Sequence, residues 1–177
     1  AVAEILKGGE TAIDATVGNG FDTSFLAETV GQNGLVIGFD VQRKAIESTG
    51  RRLAAAGLTN VDLREQSHSE LRTVAETETV TAVMFNLGFL PRSDKTIVTK
   101  AASSTLAIAA ALEVLKPRGI LTVLAYRGHE GGQDEYQAVD QVLQSYAKQH
   151  EVRRIDSQPA RTASPVLFIL RKKKSND

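Results

Sequence analysis

The chain is predicted to fold as a doubly wound α/β domain, with a mostly parallel seven-stranded sheet that ends in a C-terminal antiparallel hairpin. Three observations lead there. Short apolar, β-branched runs alternate with helical patterns along the 177 residues. That alternation is the mark of a parallel sheet covered on both faces. The last two strand candidates are joined only by the link Gln158–Pro165, too short for a helix, so they form a hairpin. The first strand candidate runs straight into a Gly18-Asn19-Gly20 turn that opens a helix, as in a ligand-binding first crossover.

Each element has its reason in the residues. The strands are Ala12–Val17, Leu35–Asp40, Val61–Glu65, Thr81–Asn86, Ile120–Tyr126, Val152–Ser157 and Val166–Arg171. The helices are Phe21–Val30, Arg43–Ala56, Thr96–Leu115 and Gln133–His150. In the third helix Ile97, Ala101, Ile108, Leu112 and Leu115 form one apolar stripe; in the fourth Tyr136, Val139, Leu143 and Tyr146 do. Both stripes face the sheet. Lys116-Pro117-Arg118-Gly119 ends the third helix. A single domain over residues 1–177 holds all seven strands, without repeat, low-complexity stretch or linker.

Composition narrows the function. Lys+Arg and Asp+Glu balance at 21 each, so no global basic field grips nucleic acid. An RNA grip is then a local patch, or one shared between the subunits of a homodimer. Cysteine is absent, which removes disulfides, thiolate metal sites and cysteine nucleophiles. No metal is expected, and a reducing cytoplasm suits such a chain. No apolar run nears the roughly 20 residues of a membrane span, so no membrane partner is expected. No signal peptide is visible, and the chain begins at Ala1 rather than Met, as a trimmed N-terminus would. The run Arg171-Lys172-Lys173-Lys174 reads as a solvated tail able to touch RNA.

In open α/β sheets the ligand lies beyond the carboxyl ends of the strands. Polar and glycine residues concentrate at five such ends, as one shared site requires. The first carries Asp14, Gly18, Asn19, Gly20, Asp22 and Thr23. Thr23 stands where a dinucleotide fingerprint has its third glycine, and no Gly-Lys-Ser/Thr follows for a phosphate loop. Two carboxylates in the turn oppose a phosphate and suit hydroxyl, amino or cationic groups. A nucleoside with a positive centre fits, and S-adenosyl-L-methionine is the commonest. Asp40, twenty residues after Gly20, is placed to accept from both ribose hydroxyls, with Gln42 beside it. The bland alternative for Asp40 is a helix N-cap. Ser67 and His68 follow the third strand and are assigned to the adenine ring.

The other two ends concern the acceptor. The fourth strand ends Asn86-Leu87-Gly88-Phe89-Leu90-Pro91. An amine methyltransferase needs an oxygen fan here, a carboxamide and carbonyls that hold the amine protons and aim the lone pair. Asn86 is the carboxamide, and this stretch resembles the Asn-Pro-Pro-Tyr type of motif without its prolines. Phe89 is able to stack on a base, and Lys95 to reach a phosphate. The fifth strand ends Tyr126-Arg127-Gly128-His129-Glu130-Gly131-Gly132. Tyr126 is expected to orient substrate, and His129 to remove a proton near neutrality. Leu87, Gly88 and Pro91 complete the expected substrate wall.

Taken in order, Asp14 to Thr23, Gly38-Phe39-Asp40-Val41-Gln42, Ser67-His68, Asn86 to Pro91 and Gly128 to Gly132 resemble one group. It is the class I S-adenosylmethionine-dependent methyltransferases of the putative rRNA methylase family, which includes the tRNA 5-(aminomethyl)-2-thiouridine methyltransferases. The resemblance spans nearly the whole chain and implies a Rossmann-like methyltransferase fold. Members carry a further N-terminal segment with a histidine and leucines, and a tyrosine where Phe89 stands. The resemblance implies S-adenosyl-L-methionine as cofactor and tRNA as partner. The expected reaction is N-methylation of the aminomethyl group of 5-aminomethyl-2-thiouridine at the wobble position. The alternatives are methylation of a base amine in rRNA, and a non-catalytic nucleotide- or RNA-binding module.

Overall fold

The computed structural model describes residues 1–88, 99–156, 158 and 164–174. A short helix α1, Val2–Ile5, precedes strand β1, Thr11–Asp14. Then come α2 (Phe21–Val30), β2 (Leu35–Asp40), α3 (Arg43–Ala55), β3 (Val61–Glu65), a 3₁₀ turn (His68–Thr73) and β4 (Val80–Leu87). After residue 99 follow α4 (Ala101–Val114), β5 (Leu115–Ala125), α5 (Gly132–Ser145), β6 (Glu151–Asp156) and β7 (Val166–Arg171).

The seven strands form one sheet in the order β3-β2-β1-β4-β5-β7-β6. Pairs from β3 through β5 are parallel, and β7 is antiparallel to both β5 and β6. The expected doubly wound sheet with a terminal hairpin is therefore present. The strand order runs outward in opposite directions from β1 and β4. Their carboxyl ends diverge there and open a crevice.

Successive strand residues point to opposite faces, and the core divides accordingly. Ile13, Ile37, Phe39, Val83, Phe85 and Val123 pack with the α4 and α5 residues Ile108, Ala111, Val139 and Leu143. Ala12, Val36, Ala82 and Ile120 pack on the other face with α1 and α2, through Leu6, Leu26, Ala27 and Val30. The predicted α5 stripe is buried at Tyr136, Val139 and Leu143. The α4 stripe is buried at Ile108, Leu112 and Leu115, while Ile97 lies outside the described residues. Among the described residues no helix is long and apolar enough to cross a membrane.

Several boundaries differ from expectation, and α4 begins at Ala101 rather than Thr96. β1 stops at Asp14, not Val17, because the chain must turn off the sheet to build the glycine loop. α4 gives way at Val114, and β5 begins at once with Leu115, ahead of the predicted Ile120. An irregularity in the β4–β5 register absorbs the extra residues, and Arg118 adopts a left-handed φ of 70° there. α5 ends at Ser145, so Tyr146 to His150 turn rather than continue the helix.

In the basic C-terminal run Lys173 and Lys174 are exposed, whereas Lys172 is tied down. Lys172 is no solvated tail: its side chain is only 12% exposed. Its Nζ donates to the carbonyls of Leu112 at 2.9 Å and Leu115 at 2.7 Å, and it pairs with Glu78 at 3.1 Å. These are carbonyls at the end of α4, which helix geometry leaves without partners and which carry negative charge. Arg171 pairs with Glu4 at 3.6 Å. Replacing Lys172 by Met should lower unfolding stability by roughly 1.5–3 kcal/mol, the value of hydrogen bonds to a charged group. Urea titration would read this as an earlier midpoint; an unmoved midpoint would contradict the capping role.

Candidate functional site

A cavity of about 420 Å³ opens at the carboxyl ends of β1 to β5. That is in the size range of small-molecule and cofactor pockets. Every one of the five strand ends contributes: Thr16, Gly18 and Asn19 after β1, Asp40 and Gln42 after β2, Ser67 and His68 after β3, Asn86 to Gly88 on β4, and Tyr126 after β5. Asp22 and Phe21 at the start of α2 complete that wall.

The glycine loop is held by three side chains. The Gly18 N–H donates to Asp40 Oδ2 at 2.9 Å, and the Gln42 N–H to Asp40 Oδ1 at 2.8 Å. One carboxylate thus ties the loop after β1 to the loop after β2. From α3, Arg52 Nε donates to the Asn19 carbonyl at 2.9 Å, and Thr49 Oγ1 to the Gly18 carbonyl at 3.3 Å. Gly20 is required twice over. Its φ is 77°, and a Cβ there would stand 2.6 Å from the Thr49 side chain. Asp40 lines the cavity with both oxygens braced, and each carboxylate oxygen has a further lone pair to offer a hydroxyl.

Asp14, Gly20 and Thr23 sit beneath this surface rather than in it. Asp14 is 1% exposed. Its Oδ2 accepts from Thr23 Oγ1 at 2.6 Å, and its Oδ1 from the Thr16 N–H at 3.1 Å. The expected cofactor contact is replaced by an internal brace, because the carboxylate is used up turning the chain from β1 into α2. Asp22 is the carboxylate of this turn that faces the cavity.

His68 is buried under the same crevice. Its Nδ1 lies 3.1 Å from the Ala15 carbonyl, so Nδ1 carries the proton. Its ring meets Phe85 edge-on, with centroids 5.7 Å apart. Burial pulls its pKa below the usual histidine value, against the opposing Ala15 bond and the charge of Glu135. The ring is therefore neutral near pH 7 and presents an acceptor lone pair at Nε2.

On the acceptor side, Asn86 is exposed at the end of β4, while Leu87 is buried. The Asn86 N–H donates to Thr16 Oγ1 at 2.7 Å. The Leu87 carbonyl already accepts from the Tyr126 N–H at 3.3 Å, and the Gly88 carbonyl from Thr99 at 3.0 Å. Asn86, Leu87 and Gly88 all line the cavity, and Asn86 is the exposed one of the three. Tyr126 and His129 gather at Gly88: a Cβ built there would lie 3.6 Å from Tyr126 and 3.8 Å from His129 Cε1. His129 does not line the cavity itself. Phe89, Pro91 and Lys95 lie outside the described residues.

Sequence reasoning missed Thr16, Thr99 and Glu135. Thr16 and Thr99 line the cavity, yet a lone threonine carries no pattern. Glu135 had a signal. It precedes Val139 by one helical turn, so it is a carboxylate on the apolar stripe of α5.

The Asp14 brace makes stability depend on pH. Burial, opposed by its bonds to Thr23 and Thr16, pushes its pKa from 3.8 up to about 7. The folded protein then keeps a proton that the unfolded chain releases, so stability falls as pH rises between these two values. Asp40 is shifted in the same direction by burial, and His68 in the opposite one. A comparison with Asp14→Asn cancels both. Unfolding free energies should drop less in the variant than in the parent between pH 5 and pH 8, by roughly 1–3 kcal/mol. Identical drops would show that Asp14 titrates as an ordinary carboxylate.

Comparison with known proteins agrees with this fold. The family model described as Putative rRNA methylase matches residues 36–171. The chloroplastic tRNA (mnm(5)s(2)U34)-methyltransferase of Arabidopsis thaliana is 38% identical over 147 residues, 77% of this chain and 54% of that protein. The chain thus spans about half the length of that relative. A putative rRNA-methylase from Clostridium thermocellum has a crystal structure with TM-score 0.92 and 38% identity, covering 97% of this chain and 92% of that one. A putative methyltransferase from Streptococcus mutans, in complex with SAH, gives TM-score 0.87 and 31% identity, covering 97% of this chain and 93% of that one. With a matching family model over most of its length and the crevice built as described, the chain belongs to the Putative rRNA methylase family of methyltransferases.

Proposed function

We propose that this protein uses S-adenosyl-L-methionine to methylate the aminomethyl nitrogen of 5-aminomethyl-2-thiouridine at the wobble position of tRNA. The observation that carries the reading is Asn86, an exposed carboxamide at the end of β4, with its backbone pinned to Thr16 across the crevice. The plant relative's name supplies the nucleoside. A cysteine-free chain suits the reducing cytoplasm, where such an enzyme would meet its tRNA.

The residues fit the cofactor. Asp40 accepts from ribose hydroxyls, Asp22 meets the amino group, and Ser67 and His68 border the adenine. The Gly18-Asn19 backbone lets the ligand lie close. When bound, S-adenosyl-L-methionine supplies a methyl group on a positive sulfur.

The acceptor arrives mainly as an ammonium, since alkyl amines titrate near pH 10, like Lys at about 10.4. Exclusion from water favours the neutral amine. The proton leaves at the side of the cavity lined by Tyr126, with His129 behind it at Gly88. The Asn86 carboxamide oxygen holds one remaining N–H, which aims the lone pair along the line of transfer. Alignment of this kind governs a displacement that creates no net charge.

Incubation with labelled cofactor and bulk tRNA, with rRNA in parallel, tests the reading. Labelled 5-methylaminomethyl-2-thiouridine in digested tRNA is the expected product by mass spectrometry. Label in an rRNA base amine instead would favour the second reading, which the family description and a 36% identity over 83 residues to a ribosomal RNA small subunit methyltransferase H support. Asn86→Ala should lower turnover by about a hundredfold while S-adenosylhomocysteine affinity stays near that of the parent. Asp40→Ala should do the reverse. Calorimetry should show binding of S-adenosylhomocysteine weakened roughly ten- to hundredfold. Wild-type affinity in that variant would remove Asp40 from the ribose.

A further inference from the structure

Glu135 is a carboxylate that the chemistry above leaves unused. It lies in the first turn of α5 and is 2% exposed. Its Oε1 accepts from Ser104 Oγ at 2.6 Å and its Oε2 from Thr99 Oγ1 at 2.7 Å. Among the described residues no cation stands within ion-pair distance of it. Buried anions without a cation are costly and need a reason.

The Thr99 branch supplies one. Thr99 Oγ1 accepts the Gly88 N–H at 2.9 Å, and the Thr99 N–H donates to the Gly88 carbonyl at 3.0 Å. A hydroxyl has one proton to give. Thr99 is already an acceptor toward Gly88, so its proton goes to Glu135, which fixes the direction of the chain of bonds. Gly88 is two residues beyond Asn86, and both Gly88 and Thr99 line the cavity. The anion also lies at the amino end of α4, since Ser104 is in that helix's first turn and Thr99 just precedes it. The positive end of a helix helps to hold it there.

We infer that Glu135, acting through Thr99, is the positioning residue of the segment Asn86–Gly88, and that its fixed negative charge favours the cationic nitrogen formed by methyl transfer. This rests on the reading of Asn86 as the amine holder. In the transfer the N–C bond forms as the C–S bond breaks, and the sulfur keeps the electron pair. The positive charge passes from sulfur to nitrogen, and the nitrogen then releases a proton to solvent. A charge fixed on the acceptor side stabilises that movement without reorganising. A backbone clasped at Gly88 keeps the Asn86 carboxamide from drifting.

The test uses Glu135→Gln, Thr99→Val and Thr99→Ser in the whole protein, with three readings: kcat and KM for RNA methylation, calorimetric affinity for S-adenosylhomocysteine, and hydrogen exchange of the Gly88 amide. Glu135→Gln and Thr99→Val should lose kcat by roughly tenfold or more, keep S-adenosylhomocysteine affinity within about twofold, and exchange the Gly88 amide faster. Thr99→Ser, which retains the hydroxyl, should match the parent in all three. An unchanged kcat in the first two variants overturns the inference. So does a loss of cofactor-product affinity in step with kcat, which marks a merely structural role. If Glu135→Gln does not fold, Thr99→Val decides by the same readings. If the parent transfers no methyl to RNA, the amine reading has failed, and Gly88 exchange still judges the brace: faster exchange upholds it and unchanged exchange refutes it.

Discussion

A single side-chain hydrogen bond spans the crevice on which everything else in the site depends. β1 and β4 run side by side up to Asp14 and Met84, and the Ala15 N–H still reaches the Met84 carbonyl at 2.8 Å. Beyond that point the two chains must part, one toward the glycine loop and the other toward the acceptor segment. Thr16 Oγ1 accepts the Asn86 N–H at 2.7 Å and continues the ladder where the backbones cannot. The separation of the two walls is therefore set by one hydroxyl. In the proposed reaction a methyl donor on one wall and an amine on the other meet in line, which makes this spacing a chemical constraint and not only a folding one.

Carboxylates stand behind both walls, and each has a different duty. Asp14 orders the turn from below, through Thr16 and Thr23. Asp40 joins the loops after β1 and β2 and still faces the cavity. Glu135 reaches the acceptor wall through Thr99. Their bonds inside the protein come from neutral donors, backbone N–H groups and hydroxyls. Such donors bring no positive charge to the carboxylates, so the crevice gains none from its braces. A crevice braced in this way suits a cationic ligand better than the phosphates that a glycine loop otherwise attracts.

The features most legible in the chain are those in which a pattern repeats. All seven strands and the four long helices follow from alternating runs and apolar stripes, and their polar ends marked the cavity. Single residues with dual capacities were less legible. Asp14 and Asp40 are the same residue type at equivalent strand ends, yet one is buried under the loop and the other borders the cavity. Lys172 sat in a basic run that looked solvated, but β7 ends beside α4 and brings its ammonium to unpartnered carbonyls. Glu135 broke the apolar stripe of α5, and its meaning depended on Thr99, which lies far off in sequence and has no local signature.

The sequence by itself determined the α/β alternation, the terminal hairpin, the Gly18–Gly20 turn and the set of strand ends where a ligand must lie. These follow from periodicity and from the backbone demands of glycine, which are local properties. The tertiary structure alone decided which polar groups meet: Thr16 with Asn86, Gly18 with Asp40, Glu135 with Thr99. Those pairings join residues 22 to 70 positions apart. They exist because sheet order sets β4 beside β1 and α5 against α4, and a hydrogen bond responds to distance and angle rather than to spacing along the chain.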